Sequence, residues 1–366
     1  MKAAICFEKN APLRVETVSL DAPGPGEVQV RLAASGVCHT DLSVVTGVMP
    51  MRLPAVLGHE GAGVVEEVGA GVRHLSGGDR VVLSWVARCG ACFFCRHGQP
   101  NLCEVGERIN ARHRMPDGSS RVHRDGTDLQ VFSALGTMAE RAVVPARSAV
   151  RLTGDTPLDK AALIGCAVMT GVGAVLNTAK VTPGSLVAVF GAGGIGLNAI
   201  QGAAIAEAAR IIAVDVNPAK LAFAETFGAT HRVDASQLDP VAAIKELTAG
   251  RGADFTFEAI GRTQSIEQAL SATRRGGTCV VIGIGSRAEA ISLSPFFLPI
   301  ESKSLLGCWY GGADVVRDFP RLLALHEAGR LKLDELVTRT YALDDVNKAF
   351  DDLAAGRNAR GMLVFD

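Results

Sequence analysis

The chain changes its hydrophobic rhythm near residue 185. Before that point apolar positions come in short runs: Glu27-Val28-Gln29-Val30-Arg31-Leu32 alternates, Gly61 to Val68 is β-branched and glycine-rich, and Arg80-Val81-Val82-Leu83 follows a Gly-Gly-Asp turn. Period-two patterning between turn residues predicts strands, so the first 150 residues are expected to be mainly β. From about Ser185 strand-length and helix-length runs alternate. The predicted elements are 186–190, 194–209, 210–214, 218–227, 240–248, 255–257, 264–273 and 278–282. Such alternation predicts an α/β unit with a doubly wound parallel sheet. After Ser302 the pattern weakens, with helices expected over 318–328 and 343–355.

No charge falls between Val181 and Glu207, and hydropathy alone would suggest a membrane span there. Pro183-Gly184 opens the stretch, Gly191, Gly193, Gly194 and Gly196 interrupt it, and Asn198 and Gln201 dot its second half. A buried strand, a glycine turn and a buried helix explain it better, because parallel strands covered on both faces are apolar throughout.

Composition narrows the picture. The 366 residues carry 37 Lys+Arg against 38 Asp+Glu, a formal charge of -1. No global field therefore draws the chain to nucleic acid or to an anionic membrane, and a small-molecule ligand is the expectation. The length suits about two domains. The opening residues Met1 to Glu8 lack the apolar core of a signal peptide, so a cytoplasmic protein is expected. The stretch holding Arg108, Arg112, Arg114, Arg121 and Arg124 is basic and aperiodic, with no interleaved aromatic residue, and reads as a solvated loop.

Gly191-Ala192-Gly193-Gly194-Ile195-Gly196 fits G-x-G-x-x-G. It follows an apolar strand, opens a predicted helix, and precedes a second strand ending in Asp215. Glycines there let pyrophosphate approach backbone N–H groups, and an acid at the next strand end bonds the adenosine ribose. A carboxylate at 215 repels a 2′-phosphate, which favours NAD over NADP.

Nine cysteines make a disulfide framework a poor fit. Cys89, Cys92, Cys95 and Cys103 stand at C-x2-C-x2-C-x7-C, a set suited to a closed tetrahedral zinc shell. An iron-sulfur cluster is the main rival, yet the ferredoxin run continues after three residues with Cys-Pro. A disulfide pair or free thiols would also be compatible with this spacing. Cys38-His39-Thr40-Asp41 and Gly58-His59-Glu60-Gly61 are polar islands between apolar runs. On spacing alone, a buried thiol and a satisfied core histidine explain Cys38 and His59 better than a metal does.

Taken in order, "GVCHTD", "GHEGAGVVEEVG", the four-cysteine lobe, "LIGCAVMTGVGAV" and "VFGAGGIGLNAI" resemble the zinc-dependent medium-chain alcohol dehydrogenases along essentially the whole chain. The resemblance implies a GroES-like, mainly β catalytic domain from residues 1–167 and 310–366, with a zinc lobe at 88–104, around a Rossmann domain at 168–309. It implies two zinc ions and NAD. Cys38, His59 and Cys166 become catalytic zinc ligands, with Glu60 counted among the metal set just behind them. Asp41 becomes the carboxylate orienting the histidine, and Thr40 the hydroxyl that bonds the substrate oxygen. His39, Lys220, Ile282, Ile284 and Arg360 join the glycine turn and Asp215 against the cofactor. His39 and Ser43 depart from the liver-type pattern, which has arginine and histidine there, so the proton exit beyond Thr40 is left open. Trp85, Phe132, Ile284 and Trp309 line the implied substrate pocket.

That lining favours a primary alcohol, aliphatic or benzylic, giving the aldehyde. The alternative is a thiol-dependent formaldehyde dehydrogenase acting on a glutathione or mycothiol adduct, because "RMPDGSSR" and "WYGG" resemble stretches of those branches. Glu107 falls where the glutathione branch has its carboxylate-binding arginine. A zinc-ribbon binding module would leave the glycine turn and Asp215 unexplained, and an idle NAD scaffold needs no dispersed metal ligands. A homodimer or homotetramer is expected.

Overall fold

A computed structural model describes residues 1–365. The chain forms two compact units. The first takes Met1–Cys166, Asp314–Gly329 and the segment from Leu333 onward, and the second takes Ala167–Ala313 with Arg330–Lys332.

The first unit is built on the strand Glu27–Val37. Its alternation buries Val28, Val30 and Leu32 against Val65, Val81, Leu83 and Val144. It pairs antiparallel with Gly61–Val68 on one side, and on the other with Arg141–Pro145 and then Arg360–Val364. Gly361 stands opposite Val37. A separate four-stranded sheet holds Gln130–Val131, Ala55–Val56, Lys2–Cys6 and Arg14–Thr17. The basic stretch differs from expectation: Glu104–Arg112 is a helix. Val105 and Ile109 put an apolar stripe against Ala87 and Met115, and Glu104 and Glu107 sit in the first turn, where the helix dipole favours acids.

The second unit is a six-stranded parallel sheet in the order His231–Asp234, Arg210–Asp215, Leu186–Phe190, Ala253–Glu258, Thr273–Val281, Ser304–Gly307. Val187, Ala188 and Val189 are wholly buried, as a strand covered on both faces requires. The following helix, Gly194–Ile205, stops short of the predicted 209 because the chain turns left-handed at Glu207, φ 59. Both outer strands escape the sequence pattern, since edge strands need few apolar residues.

The second boundary also lies later than residue 310. Gly311, φ 64, packs so tightly in the second unit that an added Cβ would lie 2.2 Å from the Met169 carbonyl oxygen. Asn177 donates to its carbonyl at 3.2 Å, so Tyr310–Ala313 stays with that unit. Among the described residues no single helix is long and apolar enough to cross a membrane.

Candidate active site

Three turns of the first unit bring Cys38, His59 and Cys166 together. Cys38 ends the long strand and caps the helix His39–Val45. His59 follows Gly58, whose φ of 97 suits glycine and whose Cβ would sit 2.5 Å from the Met138 amide nitrogen. Cys166 follows the 3-10 turn Ala162–Gly165, and a Cβ on Gly165 would meet the Leu83 carbonyl oxygen at 2.5 Å. One donor atom from each of the three, all buried, lies within 4.8 Å of the others. The His59 Nδ1 faces Asp41 Oδ2 at 3.1 Å, while Asp41 Oδ1 accepts the Gly58 N–H at 2.9 Å. The other ring nitrogen, Nε2, is thereby the one available to a metal.

The charges of this cluster call for a cation. Its bond to Cys166, joined by His59 and Arg360, holds the Cys38 thiol well below its ordinary range in spite of burial. The same bond and burial push Cys166 well above that range. Two facing thiols cannot both ionise unaided, and a dication between them removes the conflict. The donor set, two sulfurs and one imidazole, fits zinc with an open fourth position. Thr40 Oγ1 lies 3.6 Å from Cys38 Sγ.

Glu60 and Arg360 form an ion pair that the sequence expectation did not include. Glu60 stands outside the three-donor cluster, and its Oε2 is ion-paired with Arg360. Both are buried, and burial pushes the Glu60 carboxyl up to about 8 with Arg360 pulling the other way. Arg360, assigned to the cofactor pyrophosphate, thus has its charge engaged by a carboxylate. Ser43 donates its hydroxyl to the His39 carbonyl at 2.9 Å, so it is held locally.

The four-cysteine lobe also fits one metal ion. The Sγ atoms of Cys89, Cys92, Cys95 and Cys103 cluster within 4.8 Å, with Cys89–Cys95 at 3.9 Å and Cys92–Cys103 at 4.0 Å. A tetrahedron of thiolates around zinc, with bonds of ~2.3 Å, has edges of roughly 3.8 Å. That leaves no room for a cluster of irons and sulfides. None of the nine cysteines is in a disulfide. Backbone N–H groups of Ala91 and Cys92 donate to Cys89 Sγ at 3.4 and 3.2 Å, and the Cys95 N–H brings Cys92 down to about 6.

In the second unit the glycine turn is tightly drawn. Gly191 has φ 93 and donates its N–H to the Val214 carbonyl at 2.7 Å, and a Cβ on Gly196 would fall 1.7 Å from the Gly191 carbonyl oxygen. Gly193 caps the helix that begins with Gly194 and Ile195. Asp215 Oδ2 accepts the Ala192 N–H at 2.8 Å, and its Oδ1 accepts the Asn217 N–H at 3.0 Å. Lys220 lies in the helix Pro218–Thr226, and Ile282 and Ile284 follow the strand Thr273–Val281.

The expected pocket residues divide between the units. Trp85 is half-buried in the first unit. Phe132 is 4% exposed there and stands edge-on to His59, with ring centroids 5.4 Å apart, so it packs behind the ligand more than it lines a surface. Ile284 and Trp309 are 64% and 44% exposed on the second unit. Sequence reasoning passed over Glu258, a buried acid at a strand end whose only signal is the F-E-x-x-G run from Phe257 to Gly261.

Comparison with known proteins agrees with both units. The profile described as "Alcohol dehydrogenase GroES-like domain" matches residues 24–154, and that described as "Zinc-binding dehydrogenase" matches residues 194–328. The NDMA-dependent alcohol dehydrogenase of Amycolatopsis methanolica is 41% identical, covering 99% of this chain and 98% of that one. The S-(hydroxymethyl)glutathione dehydrogenase of a Synechocystis strain is 40% identical, covering 100% and 99%. The crystal structure of benzyl alcohol dehydrogenase from Acinetobacter calcoaceticus superposes with a TM-score of 0.95 at 33% identity, covering 100% of this chain and 99% of that one. With a buried two-thiol, one-imidazole cluster in one unit and a nucleotide-type glycine turn in the other, the chain belongs to the zinc-dependent medium-chain alcohol dehydrogenases, oxidoreductases of the GroES-like and Rossmann type.

Proposed function

We propose that the chain transfers a hydride between a primary alcohol, aliphatic or benzylic, and NAD, forming the aldehyde, and that it holds two zinc ions. The observation that carries this reading is the buried Cys38, His59 and Cys166 cluster with the Thr40 hydroxyl beside it. Bound zinc supplies the Lewis acidity that makes an alcohol hydroxyl acidic at neutral pH, and NAD supplies the hydride acceptor. Two thiolates and a neutral imidazole would hold the dication without net charge, and Asp41 fixes the tautomer of His59. Thr40 Oγ1 would accept the alcohol's hydrogen bond and relay the proton outward, giving up its own hydroxyl proton as it receives the alcohol's. Asp215 selects the cofactor by repelling a 2′-phosphate, and the four cysteines of the lobe hold the second ion.

The thiol-adduct reading has the Synechocystis relative in its favour. Against it, three arginines in and beyond "RMPDGSSR" are engaged by acids, Arg114 by Asp128, Arg121 by Glu27 and Asp117, and Arg124 by Glu16, while Arg108, next to Glu107, and Arg112 stand outside these pairs. Those three offer little to the carboxylates of a glutathione adduct. A panel of benzylic, medium-chain and secondary alcohols alongside S-hydroxymethyl thiols, with NAD or NADP and read by reduced-cofactor absorbance, separates the two. Activity confined to the thiol adducts overturns the alcohol reading, and metal analysis finding one ion per chain overturns the second zinc.

The chain is also proposed to self-associate as a dimer or tetramer. The edge strand Ser304–Gly307 pairs on one side only, and Phe296, Phe297 and Ile300 near it in sequence are 64%, 58% and 51% exposed. Unpaired edges and exposed apolar groups of this kind mark interfaces.

A further inference from the structure

The reaction above makes no use of His113, which ends the helix Glu104–Arg112 in the left-handed region at φ 52. Its carbonyl accepts the Val131 N–H at 3.3 Å, and its ring Nδ1 accepts the Ser133 N–H at 3.2 Å. Phe132 lies between those two amides, and its ring packs on the His113 ring with centroids 5.2 Å apart and planes tilted by 33°. One residue therefore grips Phe132 by the backbone on both sides and by the ring. A nitrogen that accepts an amide proton carries none of its own, so the neutral His113 ring holds its hydrogen on Nε2. Burial favours that neutral form by pushing the His113 pKa down to about 4.

The grip falls where the chain is least willing to stay. Ser133 and Ala134 are consecutive non-glycine residues at φ 53 and 52, a conformation that persists only when the surroundings over-determine it. Both are buried, so a Ser133 N–H without its acceptor would be left unsatisfied away from water. This turn points Phe132 at His59, whose ring it meets nearly at right angles, 82°, with centroids 5.4 Å apart. Beyond it the Thr137 N–H donates to the Gly58 carbonyl at 3.1 Å, so the same segment also borders the turn that delivers the ligand. The contact of His59 Nδ1 with Asp41 leaves the ring free to tilt about it, and Phe132 closes that freedom.

We propose that His113 is a positioning residue for the metal-ligating imidazole: by clamping Phe132 it holds the His59 ring in the orientation that completes the donor set with Cys38 and Cys166. The inference rests on the zinc reading of that cluster given above.

The test uses the full-length, zinc-loaded chain. Competition with a chelator reads the affinity of the Cys38 cluster for zinc, a Cys38→Ser chain identifies the share of the four-cysteine lobe, and circular dichroism reports folding. His113→Gly removes the ring and the acceptor while suiting φ 52, and glycine is the favoured left-handed residue at a helix end. A residue that merely ended the helix would lose nothing by this change. On the proposal, the Kd of the cluster for zinc rises roughly three- to tenfold, short of the ~10–100-fold of a direct partner, while the lobe keeps its ion. His113→Asn, which tolerates φ 52 and offers an acceptor oxygen but no ring, should recover part of the affinity and not all of it. Phe132→Leu should weaken the cluster too, and adding His113→Gly to it should cost less than about twofold more, since both changes act through one ring. A folded His113→Gly whose cluster binds zinc within about twofold of wild type overturns the proposal, as do equal losses from cluster and lobe or fully additive losses in the double variant. If His113→Gly does not fold, His113→Asn takes its place in the same cycle, where coupled losses support the proposal and additive or absent losses overturn it. A wild-type chain that holds no zinc at the cluster would defeat the zinc reading itself, and the proposal with it.

Discussion

Asp41 holds His59 by its Nδ1 at 3.1 Å and, with its other oxygen, the Gly58 N–H at 2.9 Å, so one carboxylate sets both the ring and the turn that delivers it. Asp41→Asn keeps the shape but removes the charge and blurs the tautomer of the ring. Loss of such a partner typically costs ~10–100-fold in metal affinity. Competition with a chelator should show the metal at the Cys38 cluster leaving that much more readily while the four-cysteine lobe keeps its own; equal loss from both would refute the pairing.

Thr40 separates chemistry from packing. Proton relay by a positioned hydroxyl is worth ~10²–10⁴-fold, so Thr40→Val should lose turnover on that scale with zinc content and NADH binding unchanged. Thr40→Ser should stay active and accept bulkier alcohols. If Thr40 were only a packing residue, the order of the two variants would reverse.

Asp215 serves two tasks, since it also ties down the Ala192 N–H. The kcat/KM for NAD should exceed that for NADP by at least roughly tenfold, about 1.4 kcal/mol. Asp215→Asn keeps an acceptor for Ala192 but removes the charge, and should narrow the ratio while NAD still binds. Equal kcat/KM for the two cofactors in the wild type would show that the carboxylate does not select between them.

His123 gives a pH dependence far from the chemistry. Its Nε2 meets Asp21 at 2.8 Å and its Nδ1 meets Asp128 at 2.9 Å, an arrangement that only the imidazolium satisfies on both sides. The bond to Asp21, aided by Asp128 and opposed by partial burial, raises its pKa. The stabilisation is therefore complete below the unfolded pKa of about 6.5 and is lost as pH rises through the higher folded value. Arg114 stays paired with Asp128 throughout. The Tm difference between wild type and His123→Gln should be larger near pH 5.5 than near pH 8.5, about one unit below and two above the reference value; a difference that does not vary with pH counts against the clamp.

Self-association is checked at the edge strand. Leu306→Lys places a charge on Ser304–Gly307, where Leu306 is 37% exposed. Light scattering should then report a smaller assembly than the wild type, with circular dichroism unchanged. A monomeric wild type would remove the basis for this surface.

The sequence discloses whatever is local. The strand Leu186–Phe190, the glycine turn and the four-cysteine lobe each announce themselves within a few residues, because their geometry depends on neighbours in the chain. Cys38, His59 and Cys166 do not, since no spacing rule connects three turns so far apart, and only resemblance united them. The Glu60–Arg360 pair spans 300 positions and was invisible for the same reason. His231–Asp234, with a single fully buried residue, is too polar at an edge to carry an alternating signal.

The pairing of Gly361 with Val37 orders events during synthesis. Except for Arg330–Lys332, the second unit is one continuous run, so a ribosome can release it to fold on its own, whereas the first must wait for Arg360–Val364, which follows that run in the chain. Until Arg360 arrives, Glu60 lacks its ion-pair partner beside two thiols, a histidine and the Asp41 carboxylate. The nascent chain thus presents its metal-binding half unfinished, with nucleotide-binding architecture already in place, and Arg360–Val364, on emerging, both joins Val337–Tyr341 to the long strand and brings a positive charge to Glu60.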